Sequence, residues 1–187
     1  MKFVFDSPKE LDVGLSEAMR KRRTSRSFSE EPLRRDELAT VLWACCGISD
    51  ESGHRTVPTT RNLQAVSVYV LDSEGVWKYD EKDSSIELVK KGDVRAASSE
   101  GQKEFVAKAP ATLVFSCNLK KAGEGRATGP YVDAGCMAQN AYLAACAMGL
   151  SCVARASFDP DALAAAMGLS VDERPVLTFT MGRPQQA

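Results

Sequence analysis

Polar side chains nearly vanish between Val132 and Met148, where only Asp133, Gln139 and Asn140 are clearly polar. Ala, Leu and Met favour helix, and no Pro interrupts the run. A helix that is apolar nearly all round belongs inside a protein. Its side chains are mostly small, which lets neighbouring backbones approach closely. Gly149 follows where a C-terminal cap would end it. The pattern therefore predicts a buried central helix over Tyr131 to Leu150. A membrane span is the weaker reading, because three polar groups would sit in hydrocarbon and the run is only just long enough.

The rest of the chain is organised around that helix. Leu15 to Arg22 puts Leu15, Ala18 and Met19 on one face of a short helix. Leu38, Val41, Leu42 and Cys45 repeat at helical spacing, with Asp36 and Glu37 suited to the start and Gly47 to the end. Val66 to Leu71 alternates and is β-branched, so it reads as a strand, and Val76 to Tyr79 as a second one after a turn. Asp93 to Lys108 reads as helical. Ala111 to Cys117 is the continuous apolar run of a central strand covered on both faces. Cys152 to Arg155 reads as a short strand. Asp159-Pro160 opens another helix that ends near Gly168. Val176 to Thr180 is the last strand. Interspersed strands and helices without repeat or strict alternation predict an α+β fold, a mixed sheet with flanking helices around the central one.

Composition narrows the class. A chain of 187 residues is expected to form one domain, residues 1–187. With 44% apolar and 26% charged residues it has the make-up of a soluble globular protein. The net charge of −1 gives no electrostatic case for nucleic acid or an anionic membrane as partner. The apolar stretch at Phe3 to Phe5 is too short for a signal peptide, and the cysteine usage that follows goes with an expected cytoplasmic setting. Six cysteines include no C-x-x-C pair. They read as small buried hydrophobes with reduced thiols. Only the vicinal Cys45-Cys46 pair is a candidate for redox or metal chemistry.

Much chemistry is excluded. A single histidine, His54, argues against a His-rich metal site and against a Ser-His-Asp triad. It sits in a polar loop and reads as solvated or touching a ligand. Gly123 to Gly129 resembles a dinucleotide fingerprint but has one residue too many and no strand-to-helix turn, so it reads as a loop. Any enzymatic chemistry is then expected to belong to a cofactor.

Two segments carry a positive signal. Arg22-Arg23-Thr24-Ser25-Arg26-Ser27-Phe28 sets three arginines and three hydroxyls at a helix end, a combination suited to phosphate. A solvated basic helix end would look the same in isolation. Pro58-Thr59-Thr60-Arg61-Asn62-Leu63-Gln64 stands directly before a strand. Together they resemble the FMN-dependent nitroreductase family, in which R-[RH]-[ST]-x-[RK]-x-F follows the first helix and P-[ST]-[ST]-x-N-x-Q precedes the first core strand. Gly101 to Val106 running through Ala109-Pro110, Asp133 to Asn140, Gly149-Leu150 and Met181-Gly182-Arg183-Pro184 extend the likeness along nearly the whole chain. The nearest likeness is to small members related to peptide-azoline dehydrogenases.

The resemblance implies an FMN-binding homodimer with two sites at the subunit interface. Arg22, Arg23, Thr24 and Arg26 would come from one subunit, and Pro58, Thr59, Thr60 and Asn62 from the other. Arg22 and Thr24 would hold the phosphate, and Arg26 the pyrimidine edge of the flavin. Arg155, Ala156 and Ser157 match the stretch whose backbone approaches the hydride-accepting nitrogen. Three departures bear on the site. Ala156-Ser157 replace the family's common Gly or Glu-Gly. Ala65-Val66 stand where Pro and an aromatic often follow. Arg183 is the sole basic residue near the end of this chain, where relatives carry further phosphate ligands. The implied activity is transfer of electrons from NADH or NADPH through FMN to a nitroaromatic, quinone or similar small acceptor, with no metal and no dedicated protein acid or base. The alternatives are a flavin carrier or sensor without turnover, and a specialised azoline dehydrogenase.

Overall fold

The computed structural model describes residues 1–123 and 128–185. Among them seven strands form one sheet in the order β1-β4-β3-β2-β5-β7-β6. The strands are β1 (Lys2–Val4), β2 (Val66–Leu71), β3 (Gly75–Asp80), β4 (Ser85–Lys91), β5 (Ala111–Asn118), β6 (Ser151–Arg155) and β7 (Glu173–Gly182). The helices are α1 (Leu15–Lys21), α2 (Arg35–Cys46), α3 (Lys103–Lys108), α4 (Leu119–Ala122), α5 (Thr128–Ala147) and α6 (Pro160–Met167).

The expected mixed sheet is not found: every neighbouring pair in the sheet is antiparallel. The reason lies in one insertion. The chain leaves β5 and returns through α5 to β6 in the same direction, the usual route to a parallel pair. β7, however, lies between them and is antiparallel to both. β5 is central and its first seven residues are all buried, as its apolar run requires.

The two faces of the sheet are covered differently. On one face α2 and α5 pack against Val68, Val70, Leu113, Phe115, Phe179 and Met181. On the other, Leu163 and Met167 of α6 pack with Phe158 against Tyr69, Leu71 and Val114. Asp159 caps α6 by accepting from the Asp161 and Ala162 amides, and Gly168 ends it at φ 72°. The predicted Asp93–Lys108 helix is broken into a 3-10 turn at Arg95–Ser98 and the short α3. Gly101, at φ 73°, lies in the break, where helix cannot continue.

The central helix is offset from expectation, starting at Thr128 and closing at Gly149, whose φ of 71° lets the Leu150 amide reach back to the Ala145 carbonyl at 2.9 Å. Its burial is one-sided. Ala134, Met137, Ala141, Ala144 and Ala145 face the sheet and α2, whereas Tyr131 is 53% and Val132 63% exposed. Around Tyr131 and Val132 the apolar second face is left uncovered among the described residues.

Charge ties the start of α2 to the end of β7. Glu37, 1% exposed, accepts from the Arg34 amide at 2.8 Å and so caps the start of α2. Both of its oxygens also lie 3.1 Å from the Arg183 guanidinium, which follows β7. Removing the carboxylate takes an acceptor from the Arg34 amide and guanidinium and from Arg183, which keeps Glu31. Glu37→Ala should therefore cost about 2–3 kcal/mol, less than the roughly 3–5 kcal/mol for breaking a fully buried pair, and thermal unfolding should begin several degrees lower. An unchanged melting temperature would rule out this tie.

All six cysteines are free, and Cys45, Cys46, Cys117 and Cys152 are buried. Burial pushes the Cys46 and Cys152 thiols up to about 12 from an ordinary 9.0. The raised pKa favours the folded state while these thiols stay neutral. That contribution is complete below pH 9 and is lost as pH climbs from 9 towards 12. Denaturant midpoints measured from pH 7 to 11 should fall above pH 9, and a Cys46→Ala, Cys152→Ala double variant should show a shallower fall.

Candidate functional site

The site begins where α1 stops. The Arg22 amide closes the last turn on the Ala18 carbonyl at 2.9 Å, and its ψ of 125° turns the chain extended. The segment then runs beside β6, an edge strand of the sheet. The Ser25 amide donates to the Cys152 carbonyl at 2.9 Å, and the Ser151 hydroxyl donates to Ser25 Oγ at 3.1 Å. Phe28 anchors the far end, buried and with its ring centroid 5.8 Å from that of Phe105. Three arginines are thereby presented on a fixed backbone.

Their neighbours differ. Arg22 is half-buried, its guanidinium 5.1 Å above the ring of Tyr142. Thr24 Oγ1 lies 3.2 Å from the Tyr142 hydroxyl, which also accepts from the Ala154 amide at 2.7 Å. Tyr142 of α5 thus joins Arg22, Thr24 and β6. Arg23 folds back and donates to the Arg20 and Arg22 carbonyls, both at 2.8 Å, and so serves the end of α1. Arg26 is exposed. The arginine ion pairs among the described residues involve Arg34, Arg55, Arg95, Arg174 and Arg183, so none of the three candidate arginines is committed to a carboxylate. Arg183 is committed, to Glu31 and Glu37.

The second group lies at the other end of α5. Thr60–Asn62 forms a 3-10 turn, and Arg61, Asn62 and Gln64 have φ of 54°, 54° and 48°. Such backbone is costly for residues other than glycine unless the surroundings hold it. The hold comes from Asp133, 3% exposed, which accepts from the Thr60 amide at 2.8 Å and the Thr60 hydroxyl at 2.7 Å. Gly129 permits the approach: a Cβ there would meet Thr60 Cγ2 at 2.9 Å. Thr59 Oγ1 accepts from the Gln64 amide at 3.3 Å, and the Asn62 side chain from Gln64 Nε2 at 3.4 Å. Pro58, Thr59, Asn62 and Gln64 line one side of an open groove whose far side is the loop Ser52 to Val57. His54 stands in that loop, exposed and hydrogen-bonded to Asp50 at 2.7 Å. The bond holds the Asp50 carboxyl below its ordinary pKa.

Arg155, Ala156 and Ser157 form a third group, at the end of β6. Ala156 and Ser157 are exposed, but the Arg155 side chain is turned inward, donating to the Ser98 carbonyl at 2.9 Å and to Thr180 Oγ1 at 2.6 Å. Thr24 reaches Tyr142, whereas Thr60 reaches Asp133, nine positions earlier on α5. At 1.5 Å per residue that is about 13 Å along the helix axis. The Arg22 to Arg26 group and the Pro58 to Asn62 group therefore touch the helix at well-separated points.

Among the described residues no group of His, Cys, Asp or Glu side chains is placed to hold a metal ion. Among the same residues no helix is long and apolar enough to cross a membrane. Of the loop expected at Gly123 to Gly129, residues 124–127 lie outside the described part. Asp133 and Tyr142 are the site residues that sequence reasoning did not assign. A polar residue inside an otherwise apolar helix was the available signal for Asp133.

With this geometry in view, the comparisons are consistent with one another. The nitroreductase family model matches residues 19–183, and the chain belongs to that family. A protein of Methanocaldococcus jannaschii that carries the name nitroreductase is 29% identical over 184 residues, which is 92% of each chain. A crystal structure of a protein from Ralstonia eutropha, also named a nitroreductase, is 31% identical and superposes with a TM-score of 0.93, covering 100% of this chain and 90% of that one. The fold also matches a nitroreductase from Desulfovibrio desulfuricans crystallised in complex with FMN, at a TM-score of 0.67 and 18% identity over 94% of this chain and 88% of that one.

The Asp133 tether is open to direct test. Asp133→Ala removes two hydrogen bonds to a carboxylate, each worth about 1.5–3 kcal/mol. The amides of Thr60 and Asn62 should then exchange hydrogen at least ten-fold faster, while those of β5 keep their protection. Equal exchange in the two proteins would show that the turn holds itself.

Proposed function

We propose that the protein is an FMN-dependent oxidoreductase that takes hydride from NADH or NADPH and reduces a nitroaromatic, quinone or similar small acceptor. The observation that carries this reading is the set of arginines on the Arg22 to Phe28 segment, which among the described residues have no carboxylate partner and whose backbone is hydrogen-bonded to β6. Such a segment fits a phosphate and a ring that becomes negatively charged on reduction. When bound, FMN supplies the redox chemistry itself, accepting two electrons and a proton as hydride and passing them on.

The residues of this chain then bind and orient. Arg22 and Thr24, both braced on Tyr142, hold the phosphate. Arg23 contributes from the helix end, where its side chain already satisfies two carbonyls. Arg26 offers its cation to the pyrimidine edge. Pro58, Thr59, Thr60 and Asn62, stiffened by Asp133, approach the flavin from the other side. The exposed Ala156-Ser157 backbone after Arg155 lies against the ring. Arg183 is left out of the phosphate set, since Glu31 and Glu37 occupy it.

The separation of the two groups along α5 supports a two-fold homodimer in which each flavin takes Arg22 to Arg26 from one subunit and Pro58 to Asn62 from the other. The apolar face of α5 around Tyr131 and Val132 is the surface such a partner would cover. Leu15 and Met19 of α1, 63% and 56% exposed, add to the apolar surface of the single chain.

Two measurements test this. Freshly purified protein should be yellow, and Arg22→Ala should weaken FMN binding ten-fold or more relative to Lys82→Ala, a control in an exposed turn. Mixing Arg22→Ala with Asn62→Ala should restore flavin binding and NAD(P)H oxidation, because some mixed dimers keep one intact site. A fully loaded monomer by light scattering, or no recovery after proven subunit exchange, would place the whole site within one chain.

A further inference from the structure

Arg155 ends β6 and is 5% exposed. Its hydrogen bonds go only to neutral acceptors: the Ser98 carbonyl at 2.9 Å, Ser98 Oγ at 3.3 Å and Thr180 Oγ1 at 2.6 Å. Its Nε is buried without a partner. The ring of Phe105 lies 5.5 Å from the guanidinium carbon. The nearby charge that acts on it is another cation, Arg26. Burial first, and Arg26 second, pull the Arg155 pKa down to about 10.

A buried charge normally brings its counter-charge with it, because desolvation is otherwise uncompensated. Among the described residues no carboxylate pairs with Arg155. The segment that holds it is also short of partners, with Ser99 Oγ and Gln102 Oε1 buried and unpaired. That segment is joined to the next residues of the β6 strand end, since the Glu100 amide donates to the Ser157 carbonyl at 3.1 Å. Arg155 is therefore close to two parts of the proposed flavin site, Arg26, whose charge acts on it, and Ala156-Ser157, which follow it in the chain.

We propose that Arg155 is a positioning charge for the redox step, a buried cation whose missing counter-charge is the one that appears on the flavin when it is reduced. The proposal rests on the flavin reading above. Hydride from NADH or NADPH carries two electrons and one proton, the nicotinamide leaves oxidised, and the flavin ring gains one negative charge. Arg155 and Arg26 together favour that charge, Arg26 from the exposed side and Arg155 from within the protein. No dedicated acid is then needed to neutralise it. The cost of keeping Arg155 buried and unpaired is offset in the reduced state.

The test is the midpoint potential of the FMN-loaded protein, read by spectroelectrochemical titration. Arg155→Gln keeps donors for Ser98 and Thr180 but removes the charge. It should weaken binding of reduced relative to oxidised FMN at least ten-fold, a fall of about 30 mV for a two-electron couple. Arg155→Lys should stay near the wild-type potential, and so should Thr180→Val, which removes an acceptor but no charge. A wild-type potential in Arg155→Gln, or an equal fall in Thr180→Val, overturns the proposal. Should Arg155→Gln not fold, Arg155→Lys still decides, because a ten-fold fall with the charge retained would show that packing and not charge is at work. Protein that binds no FMN at all would sink the flavin reading and this proposal together, whereas bound FMN with an unmoved potential sinks only this one.

Discussion

The carboxylate of Asp133 holds more of this structure in place than its size suggests. It is buried inside an otherwise apolar helix, and it meets its need for donors with the amide and hydroxyl of a single residue, Thr60. That contact braces a turn with three residues in left-handed backbone, a costly shape for residues other than glycine. Through α5 it also fixes where that turn lies relative to Tyr142, and hence to Arg22 and Thr24. The helix behaves as a ruler with a contact point near each end. Its buried face of small side chains lets it lie close to the sheet and to α2, and so makes the ruler rigid.

Much of this was legible in the residues, for identifiable reasons. The apolar run announced α5, the alternation announced β2 and the all-apolar stretch announced β5, because burial on one or two faces leaves a direct mark on side-chain pattern. Asp159-Pro160 and Gly168 marked α6 through local backbone chemistry. β1 and β4 left no such mark. β1 has three residues, and β4 is interrupted by charge at Glu87, Lys90 and Lys91. The antiparallel character of the sheet was hidden for another reason. It depends on β7 entering between β5 and β6, a long-range choice that no local window records.

The candidate site divides in the same way. Arg22 to Phe28 and Pro58 to Gln64 stood out as motifs. Which arginines are spoken for did not, since Arg183 and Arg22 look alike on paper. Their difference lies in Glu31 and Glu37, brought up by the fold from far away in sequence. Arg155 is the sharpest case. Its number in the chain suggested a backbone contact, whereas its side chain proves to be a buried cation lodged between Ser98 and Thr180. An inward-facing charge at the end of a strand is visible only once the neighbouring segment is in place.

The hydrogen bond from the Ser25 amide to the Cys152 carbonyl also bears on solubility. β6 is the outermost strand on its side, and an open strand edge is a template on which other chains can stack. The Arg22 to Phe28 segment lies over that edge, and its clustered positive charges repel a second copy approaching in the same way. The residues proposed to present cations to a phosphate therefore also cover the β6 edge. Loosening this segment, by substitution or by proteolytic nicking, exposes an adhesive rim as well as weakening a site. Loss of solubility and loss of function would then arise from one lesion.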